Sequence, residues 1–250
     1  LGVIEGSYAL VLLAENKLIA CLDPQGLRPL ALGKVGGSYC FASETCAFDL
    51  IEAEYIRHVE PGEMVVIGQD QLRSLKIGEP SPAFCSFEYI YFARPDSNLT
   101  SNTSVHQIRR KLGKQLAAES PVEADLVLGV PDSSLSAAIG YAEALGIPFE
   151  MGLVKNRYVG RTFIQGKQES RTRDVKLKLS VVRKVVEGKT VVMVDDSLIR
   201  GTTSRRIVRL LRDAGVKAVH VRISSPPVAH PCFYGIDISS HDELIVTHKS

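Results

Sequence analysis

The sequence predicts an α/β fold in which a parallel sheet carries helices on both faces and is preceded by a region of mostly β-structure. Short runs of β-forming residues, separated by turns, fill the chain as far as Ile77. Prolines at positions 80 and 82 then interrupt regular structure, because proline lacks an N–H group and restricts the residue before it. Beyond this break, amphipathic helices alternate with short apolar strands. We therefore expect one domain over residues 1–80 and a second over residues 81–250.

The first region has the turn signals of antiparallel β-structure. Glu15 and Asn16 form the expected hairpin turn between two apolar runs, and residues 23–29 form a loop. Gly36-Gly37 and Pro61-Gly62 precede later runs. The expected strands cover residues 7–14, 18–22, 39–42 and 65–67.

The second region alternates helices and strands in the order that parallel pairing requires. A helix over residues 105–118 would carry Val105, Ile108, Leu112 and Leu116 on one apolar face. Strands are expected over residues 126–130, 190–194 and 219–223. Further helices are expected over residues 135–145, ending at Gly146, and after Thr203, ending at Gly215, with Ile207, Val208, Leu210, Leu211 and Ala214 directed inward. Right-handed crossovers bring the carboxyl ends of such strands to one edge, where ligands bind.

The composition is that of an ordinary folded protein. Of 250 residues, 45% are hydrophobic and 23% charged, which excludes disordered and collagen-like chains. The apolar runs are too short for a membrane-spanning helix and the start of the chain has no signal-peptide pattern, so we expect a cytoplasmic protein without a membrane partner. A net charge of +2 does not favour nucleic acid as a partner, and five irregularly spaced cysteines fit reduced thiols or metal ligands.

The most informative segment covers residues 191–204. An apolar strand ends in the adjacent carboxylates of Asp195 and Asp196, and a turn with hydroxyl groups and glycine then opens a helix. Backbone N–H groups at such a turn suit a phosphate monoester, and the carboxylates suit two sugar hydroxyls or the surroundings of a divalent metal. A Walker loop is excluded because the Gly-Lys-Ser/Thr ending is absent, and a dinucleotide fingerprint is excluded because its spaced glycines are absent. An Asp-Asp pair alone would more often cap a turn, but the whole segment favours a ribose 5-phosphate.

This segment resembles the signature with which type I phosphoribosyltransferases bind phosphoribosyl pyrophosphate. Four other segments extend the resemblance to the glutamine phosphoribosylpyrophosphate amidotransferase family; they cover residues 86–97, 129–133, 155–163 and 233–237. Residues 26–30 and 42–44 resemble the later, mostly β portion of that family's N-terminal-nucleophile glutaminase domain. The resemblance implies a glycosyltransferase that forms 5-phosphoribosylamine, pyrophosphate and glutamate from phosphoribosyl pyrophosphate, glutamine and water, in the first step of purine synthesis.

The resemblance also implies roles for individual residues. Asp195 and Asp196 would bind the ribose hydroxyls near Mg²⁺, and Asp132 and Ser133 would lie on the pyrophosphate and metal side. The residues that would bind the 5-phosphate are Ser197, Arg200, Gly201, Thr202, Thr203 and Ser204. The stretch 155–165 resembles a mobile loop that closes over the substrate, with Lys155, Arg157, Tyr158 and Arg161 as its catalytic residues.

Residues 155–178 carry eight basic and two acidic side chains. A solvated surface is one interpretation, but the interleaved Tyr158 and Phe163 disfavour it for the first half. A nucleic-acid patch is another, although no nucleic-acid module accompanies the run. By resemblance, Arg171, Arg173 and Lys176 would help to bind purine nucleotides that act as feedback inhibitors.

Two cysteines stand where some family members carry ligands of a 4Fe-4S cluster. The surroundings of Cys85 and Cys232 resemble the cluster-bearing bacterial branch, and the other two thiolates that such a cluster needs would lie beyond Ser250. Buried inert thiols are the alternative. Cys21, Cys40 and Cys46 have the pattern of packing residues.

The family's glutaminase uses an N-terminal cysteine, whereas position 1 is Leu. We therefore expect an internal fragment that uses ammonia at most, from a protein that forms homo-oligomers. The competing interpretation is a regulator that binds phosphoribosyl pyrophosphate without catalysis, although the glutaminase-like first part argues against it. A phosphate-receiving signalling domain is more remote, because it would lack the phosphate loop.

Overall fold

The computed structural model describes residues 4–68, 71–99, 103–156 and 179–247. Its contacts divide the chain into two compact units, Leu1–His106 and Gln107–Ser250. Across the described residues, every helix is too short or too polar to span a bilayer.

The first unit is built mainly from antiparallel strands. Its strands are β1 (Ala9–Ala14), β2 (Lys17–Leu22), β3 (Ala31–Val35), β4 (Ser38–Ala42), β5 (Glu54–His58), β6 (Glu63–Gly68) and β7 (Gln71–Lys76). They pair in the orders β1-β2-β6-β7 and β4-β3-β5. A short helix α1 (Cys46–Leu50) and a π-helical turn at Glu88–Phe92 complete the unit. Its core contains Ala20, Leu22, Leu30, Val59 and Val65.

The predicted strands of this unit are confirmed, but β3, β5 and β7 were not predicted. Strands β5 and β7 are largely exposed and lack the alternation of buried and exposed residues that reveals a strand. Strand β3 contains Gly33, where a Cβ atom would lie 2.9 Å from the ring of Phe48. That strand therefore depends on tertiary packing that local sequence does not show.

The expected boundary at residue 80 does not coincide with the division between the compact units. After the proline-rich break, Ser81, Ala83 and Cys85 donate backbone hydrogen bonds of 2.8, 2.8 and 3.1 Å to the loop at residues 24–27. These bonds tie the segment to the first unit, so the contacts divide only after His106.

The second unit has a parallel sheet in the order β12-β11-β8. Its strands are β8 (Leu126–Gly129), β9 (Leu153–Lys155), β10 (Leu179–Val181), β11 (Thr190–Asp195) and β12 (Ala218–Ile223). The helices are α2 (Val105–Glu119), which begins just before the boundary, α3 (Leu135–Leu145), α4 (Arg183–Val186) and α5 (Thr202–Asp213). Strands β9 and β10 form a separate antiparallel pair. Short 3₁₀ turns follow at His241–Glu243 and Ile245–Thr247.

The central strand β11 explains why helices cover both faces of the sheet. Val191 and Met193 point to one face, where they pack in a core with Ile207 and Leu211 of α5. Val192 and Val194 point to the other face, in a core with Tyr141 of α3. Each of these aliphatic side chains is buried, which contributes roughly 1.5–3 kcal/mol apiece relative to exposure. The predicted α/β fold, preceded by a mostly β unit, is confirmed.

The buried face of α2 differs from the predicted one. Arg109, Gly113 and Ala117 are buried together with Val105, whereas Ile108, Leu112 and Leu116 are half-buried. The cause is the close approach of α2 and α3, since a Cβ atom at Gly113 would lie 1.9 Å from the carbonyl oxygen of Ala137. Such contact between backbones turns the small residues inward and rotates the apolar residues toward the rim.

Candidate functional site

The carboxyl ends of β8 and β11 place the candidate site. These neighbouring strands are parallel, so the loop at residues 131–134 and the carboxylates of Asp195 and Asp196 come to the same edge of the sheet. Both carboxylate residues are buried, with 7% of each exposed. The structure thus brings together the predicted acidic pair, by which we mean Asp195 and Asp196, and the predicted Ser133.

The carboxylate of Asp195 accepts hydrogen bonds from three donors. Ser134 Oγ lies 3.3 Å from Oδ1, Ser204 Oγ lies 3.4 Å from Oδ2, and the backbone N–H of Asp196 lies 3.0 Å from Oδ1. Burial and then the charge of Asp196 nevertheless raise the pKa of Asp195 to about 6. At neutral pH a carboxylate with such a pKa is mostly ionised, so a cation that enters the site would stabilise its buried negative charge.

Asp196 connects the loop after β8 to the loop after β11. The Ser133 hydroxyl donates a short hydrogen bond to Oδ2, and the Ser197 hydroxyl donates one of 2.7 Å to Oδ1. The acidic pair is therefore surrounded by hydroxyl groups from both loops and from the start of α5. Ligand hydroxyls or a cation can replace these neutral hydroxyl donors without breaking the sheet.

Lys155, at the end of β9, places a cation beside the loop after β8. Its Nζ lies 2.7 Å from Asp132 Oδ2, and both side chains are largely exposed. The predicted catalytic residues Arg157, Tyr158 and Arg161 lie outside the described residues, as do Arg171, Arg173 and Lys176.

The 197–204 loop, which was predicted to bind phosphate, leads directly into α5. Gly201 has φ of +71°, a left-handed conformation that glycine adopts at low cost, and α5 starts at the next residue. The first N–H groups of a helix have no partner within the helix, and the helix dipole favours an anion there. Thr202 and Thr203 are exposed at this end, while Ser204 is buried beside Asp195.

Arg200, in the 197–204 loop, pairs with a carboxylate from a later part of the chain. Its guanidinium contacts Glu243, with Nε 2.7 Å from Oε2, and Nη2 donates to the carbonyl oxygen of Asp237 at 3.0 Å. Neither Glu243 nor Ser134 was predicted as part of the site. Ser134 is adjacent to a predicted residue, so the loop itself was a usable signal. Glu243 lies 43 residues from Arg200 and has no local pattern.

The donor set at the acidic pair fits a divalent cation such as Mg²⁺. Proteins commonly hold Mg²⁺ through one or two carboxylates while substrate phosphates and water complete its shell. Within the described part of the chain, three or more His, Cys, Asp or Glu side chains nowhere come together to hold a metal ion. Asp195 and Asp196 would therefore need ligand oxygens to complete a magnesium site.

The two cysteines predicted as cluster ligands are half-buried. Cys232 Sγ accepts a hydrogen bond from the backbone N–H of Tyr234 at 3.4 Å, a donor that also suits a thiolate. Cys85 belongs to the first unit and Cys232 to the second. Two thiols are half of what a four-iron cluster needs.

Comparison with known proteins relates this site to a family. Amidophosphoribosyltransferase of Bacillus subtilis (strain 168) is 60% identical over 251 residues, which cover 100% of this chain and 52% of that protein. The enzyme of the same name from Mycobacterium tuberculosis (strain ATCC 25618 / H37Rv) is 50% identical over 245 residues, which cover 98% of this chain and 46% of that protein. The chain thus spans about half the length of these curated relatives.

Comparison with solved structures relates the chain to the same kind of enzyme. The glutamine phosphoribosylpyrophosphate amidotransferase from B. subtilis complexed with ADP and GMP is similar with a TM-score of 0.89 at 61% identity, over 98% of this chain and 54% of that one. Residues 96–225, which contain the acidic pair and the 197–204 loop, match the phosphoribosyl transferase domain. The chain therefore belongs to the phosphoribosyl transferase domain family.

Proposed function

We propose that the chain is part of an amidophosphoribosyltransferase and that its second unit binds phosphoribosyl pyrophosphate with Mg²⁺. The observation that carries this proposal is the acidic pair at the carboxyl end of β11, followed after a short loop by the start of α5, where the helix dipole favours an anion. The names of the relatives support the same reaction, because both units contribute to the similarity.

The acidic pair would bind the ribose. Two carboxylates spaced as neighbours on one turn can each accept a hydrogen bond from a ribose hydroxyl, and these bonds would replace those from Ser133 and Ser134. The 5-phosphate would lie on the N–H groups of residues 201–204, where the start of α5 favours negative charge. One end of the sugar would thus be fixed at α5 and its diol at β11.

The leaving pyrophosphate would lie on the side of Asp132 and Ser133. Lys155, now paired with Asp132, can turn its ammonium to the pyrophosphate as negative charge builds there. Bound Mg²⁺ would neutralise part of the same charge. The nitrogen of ammonia forms a bond to C1, the bond from C1 to pyrophosphate breaks with its electron pair leaving on oxygen, and a proton is lost to solvent or a nearby base.

A regulator that binds the same ligand without catalysis is the alternative. The mostly β first unit argues against a regulator. That unit is similar to part of a glutamine phosphoribosylpyrophosphate amidotransferase, in which glutamine is the expected nitrogen source, and a regulator needs no nitrogen source. In the complete protein we expect glutamine to supply the ammonia. We also propose a cytoplasmic location and a homo-oligomeric assembly, with purine nucleotides as feedback inhibitors, since one similar structure contains ADP and GMP.

Pyrophosphate release tests the proposed reaction. The complete protein should release pyrophosphate from phosphoribosyl pyrophosphate and Mg²⁺ when glutamine or ammonium is present, and the Asp195→Asn/Asp196→Asn variant should not. Asp213→Asn, which changes an exposed carboxylate at the far end of α5, serves as the matched control. Binding without pyrophosphate release under either nitrogen source would favour the regulator instead.

We further propose that Cys85 and Cys232 ligate a 4Fe-4S cluster in the complete protein. Iron and acid-labile sulfide should then be present in equal amounts, and either Cys85→Ser or Cys232→Ser should lose both. Cys40→Ser is the control, because Cys40 lies in β4. Protein without iron, or metal content unaffected by either ligand variant, would return both cysteines to ordinary packing residues.

A further inference from the structure

The segment formed by residues 237–247 folds back against the 197–204 loop. Arg200 donates hydrogen bonds from Nε to the Glu243 carboxylate and from Nη2 to both the Glu243 carboxylate and the carbonyl oxygen of Asp237. The backbone N–H of Ile245 also donates a hydrogen bond of 2.8 Å to the carbonyl oxygen of Ile199. A side-chain ion pair and a backbone hydrogen bond therefore hold adjacent residues of the loop.

The same segment shapes the turn at Gly201. A Cβ atom there would lie 2.8 Å from Ile245 Cδ1, so the side chain of Ile245 fills the space beside the glycine. Glu243 is itself held in place, because Ser239 Oγ donates to its Oε1 at 2.8 Å. The carboxylate thus meets Arg200 in a fixed orientation, and its two oxygens have different partners.

We propose that Glu243 is a positioning residue for the phosphate site and acts through Arg200. The N–H groups at the start of α5 can bind a phosphate only while the loop before them keeps its conformation. The loop residues 197–200 are half-buried or exposed, so packing alone fixes them weakly. Glu243 lies outside the residues 96–225 that match the phosphoribosyl transferase domain, and it contacts the 197–204 loop through Arg200.

This inference rests on the proposed function and changes one detail of it. Arg200 is one of the residues expected to bind the 5-phosphate, and its guanidinium is a group that could bind the phosphate directly. If it did so, Glu243 would compete with the substrate for Arg200, and removing the carboxylate would strengthen binding. If Glu243 positions the loop, removing the carboxylate weakens binding instead. The two roles predict opposite signs.

Steady-state kinetics of the complete protein separate these outcomes. We expect Glu243→Gln and Glu243→Ala to raise the KM for phosphoribosyl pyrophosphate between about tenfold and a hundredfold, the scale on which a misplaced binding group acts. The kcat should change much less, because the interaction supports ground state and transition state alike. Glu123→Gln is the matched control, since Glu123 is exposed just before the amino end of β8.

A double-mutant cycle tests whether Glu243 acts through Arg200. In an Arg200→Ala background, Glu243→Ala should add little to the increase in KM, because the interaction is already lost. Amide exchange at residues 199–204 should be faster in each single variant, while the thermal midpoint stays close to that of the wild type. Unchanged or lowered KM in the Glu243 variants, or fully additive effects, would overturn the inference. A wild-type protein that does not bind phosphoribosyl pyrophosphate would refute the proposed function itself.

Discussion

Ser134 Oγ lies 3.3 Å from Asp195 Oδ1, and this contact joins the loop after β8 to the end of β11 inside a buried site. The hydroxyl stabilises the ionised carboxylate, but burial and the charge of Asp196 outweigh it, so that the pKa of Asp195 rises to about 6. The site is therefore destabilised at neutral pH unless a positive charge enters it. Its stability and its binding of cations should both depend on pH.

The first prediction concerns stability against pH. The pKa of Asp195 is about 6 in the folded protein and near the ordinary aspartate value of 3.8 in the unfolded chain. Between these values the folded protein retains a proton that the unfolded chain has lost, so the free energy of unfolding falls as pH rises through this window. The full effect is on the order of 3 kcal/mol. Asp195→Asn should remove this fall, as measured by urea denaturation followed by circular dichroism from pH 4 to 7. Parallel curves for wild type and variant would contradict it.

The second prediction concerns Mg²⁺. At pH 7 Asp195 is mostly ionised beside Asp196, and a divalent cation with substrate oxygens would offset the buried negative charge. Mg²⁺ with phosphoribosyl pyrophosphate should therefore raise the thermal midpoint of the wild type more at pH 7 than at pH 5, where protons compete. The same addition should leave the thermal midpoint of the Asp195→Asn/Asp196→Asn variant unchanged. An equal rise at both pH values would show that the cation binds elsewhere.

The third prediction concerns the first unit. Burial alone would raise the pKa of Glu63, but hydrogen bonds from Arg57 and Ser74 outweigh burial and lower this pKa to about 2. Arg57 Nη2 lies 2.7 Å from Glu63 Oε1 and Ser74 Oγ lies 2.5 Å from the same atom. Glu63→Gln should cost roughly 1.5–3 kcal/mol of unfolding free energy, because hydrogen bonds to a charged group are lost.

The pH dependence of this carboxylate has the opposite sign. Its contribution is present above the unfolded pKa of 4.5 and is lost as pH falls toward 2, so wild type and Glu63→Gln should converge in acid. Glu79→Gln is the control, because Glu79 pairs with Lys76 on an exposed surface, where an ion pair contributes at most about 1 kcal/mol. Equal effects of the two substitutions in urea denaturation would rule out a special role for Glu63.

The fourth prediction concerns glutamine. Burial raises the pKa values of the Cys21, Cys40 and Cys46 thiols, so these groups stay protonated and are poor nucleophiles. A polypeptide of these 250 residues should therefore release no glutamate from glutamine, as an enzymatic glutamate assay would show. If the polypeptide formed glutamate and substitution of one of these cysteines abolished that activity, the cysteine would be a nucleophile and this prediction would be wrong.

The sequence was sufficient for features that lie in one contiguous pattern. The strand that ends in Asp195 and Asp196 is apolar, continuous and followed by a glycine turn, so its place in a parallel sheet and the position of the acidic pair at the sheet edge could both be predicted. Ser133 was found in the same way, because its loop follows another short apolar strand.

Features that depend on distant contacts could not be predicted. The contact between Arg200 and Glu243 joins two loops whose local sequences show no pairing. The buried face of α2 differs from the predicted one because Gly113 and Gly140 allow the backbones of α2 and α3 to come into contact. A search for periodic apolar residues does not count glycine, so it misses this contact. Strands β5 and β7 are exposed and become strands only through pairing with β3 and β6.

Calorimetric titration of phosphoribosyl pyrophosphate into the protein with Mg²⁺ tests the central assignment most directly. The wild type and the Asp213→Asn control should bind with the same affinity. Asp195→Asn/Asp196→Asn, shown by circular dichroism to be folded, should bind at least about a hundredfold more weakly, because two hydrogen bonds to charged groups contribute roughly 3–6 kcal/mol. Affinity within about twofold of the wild type in the double variant would place the phosphoribosyl site away from the acidic pair and contradict the account.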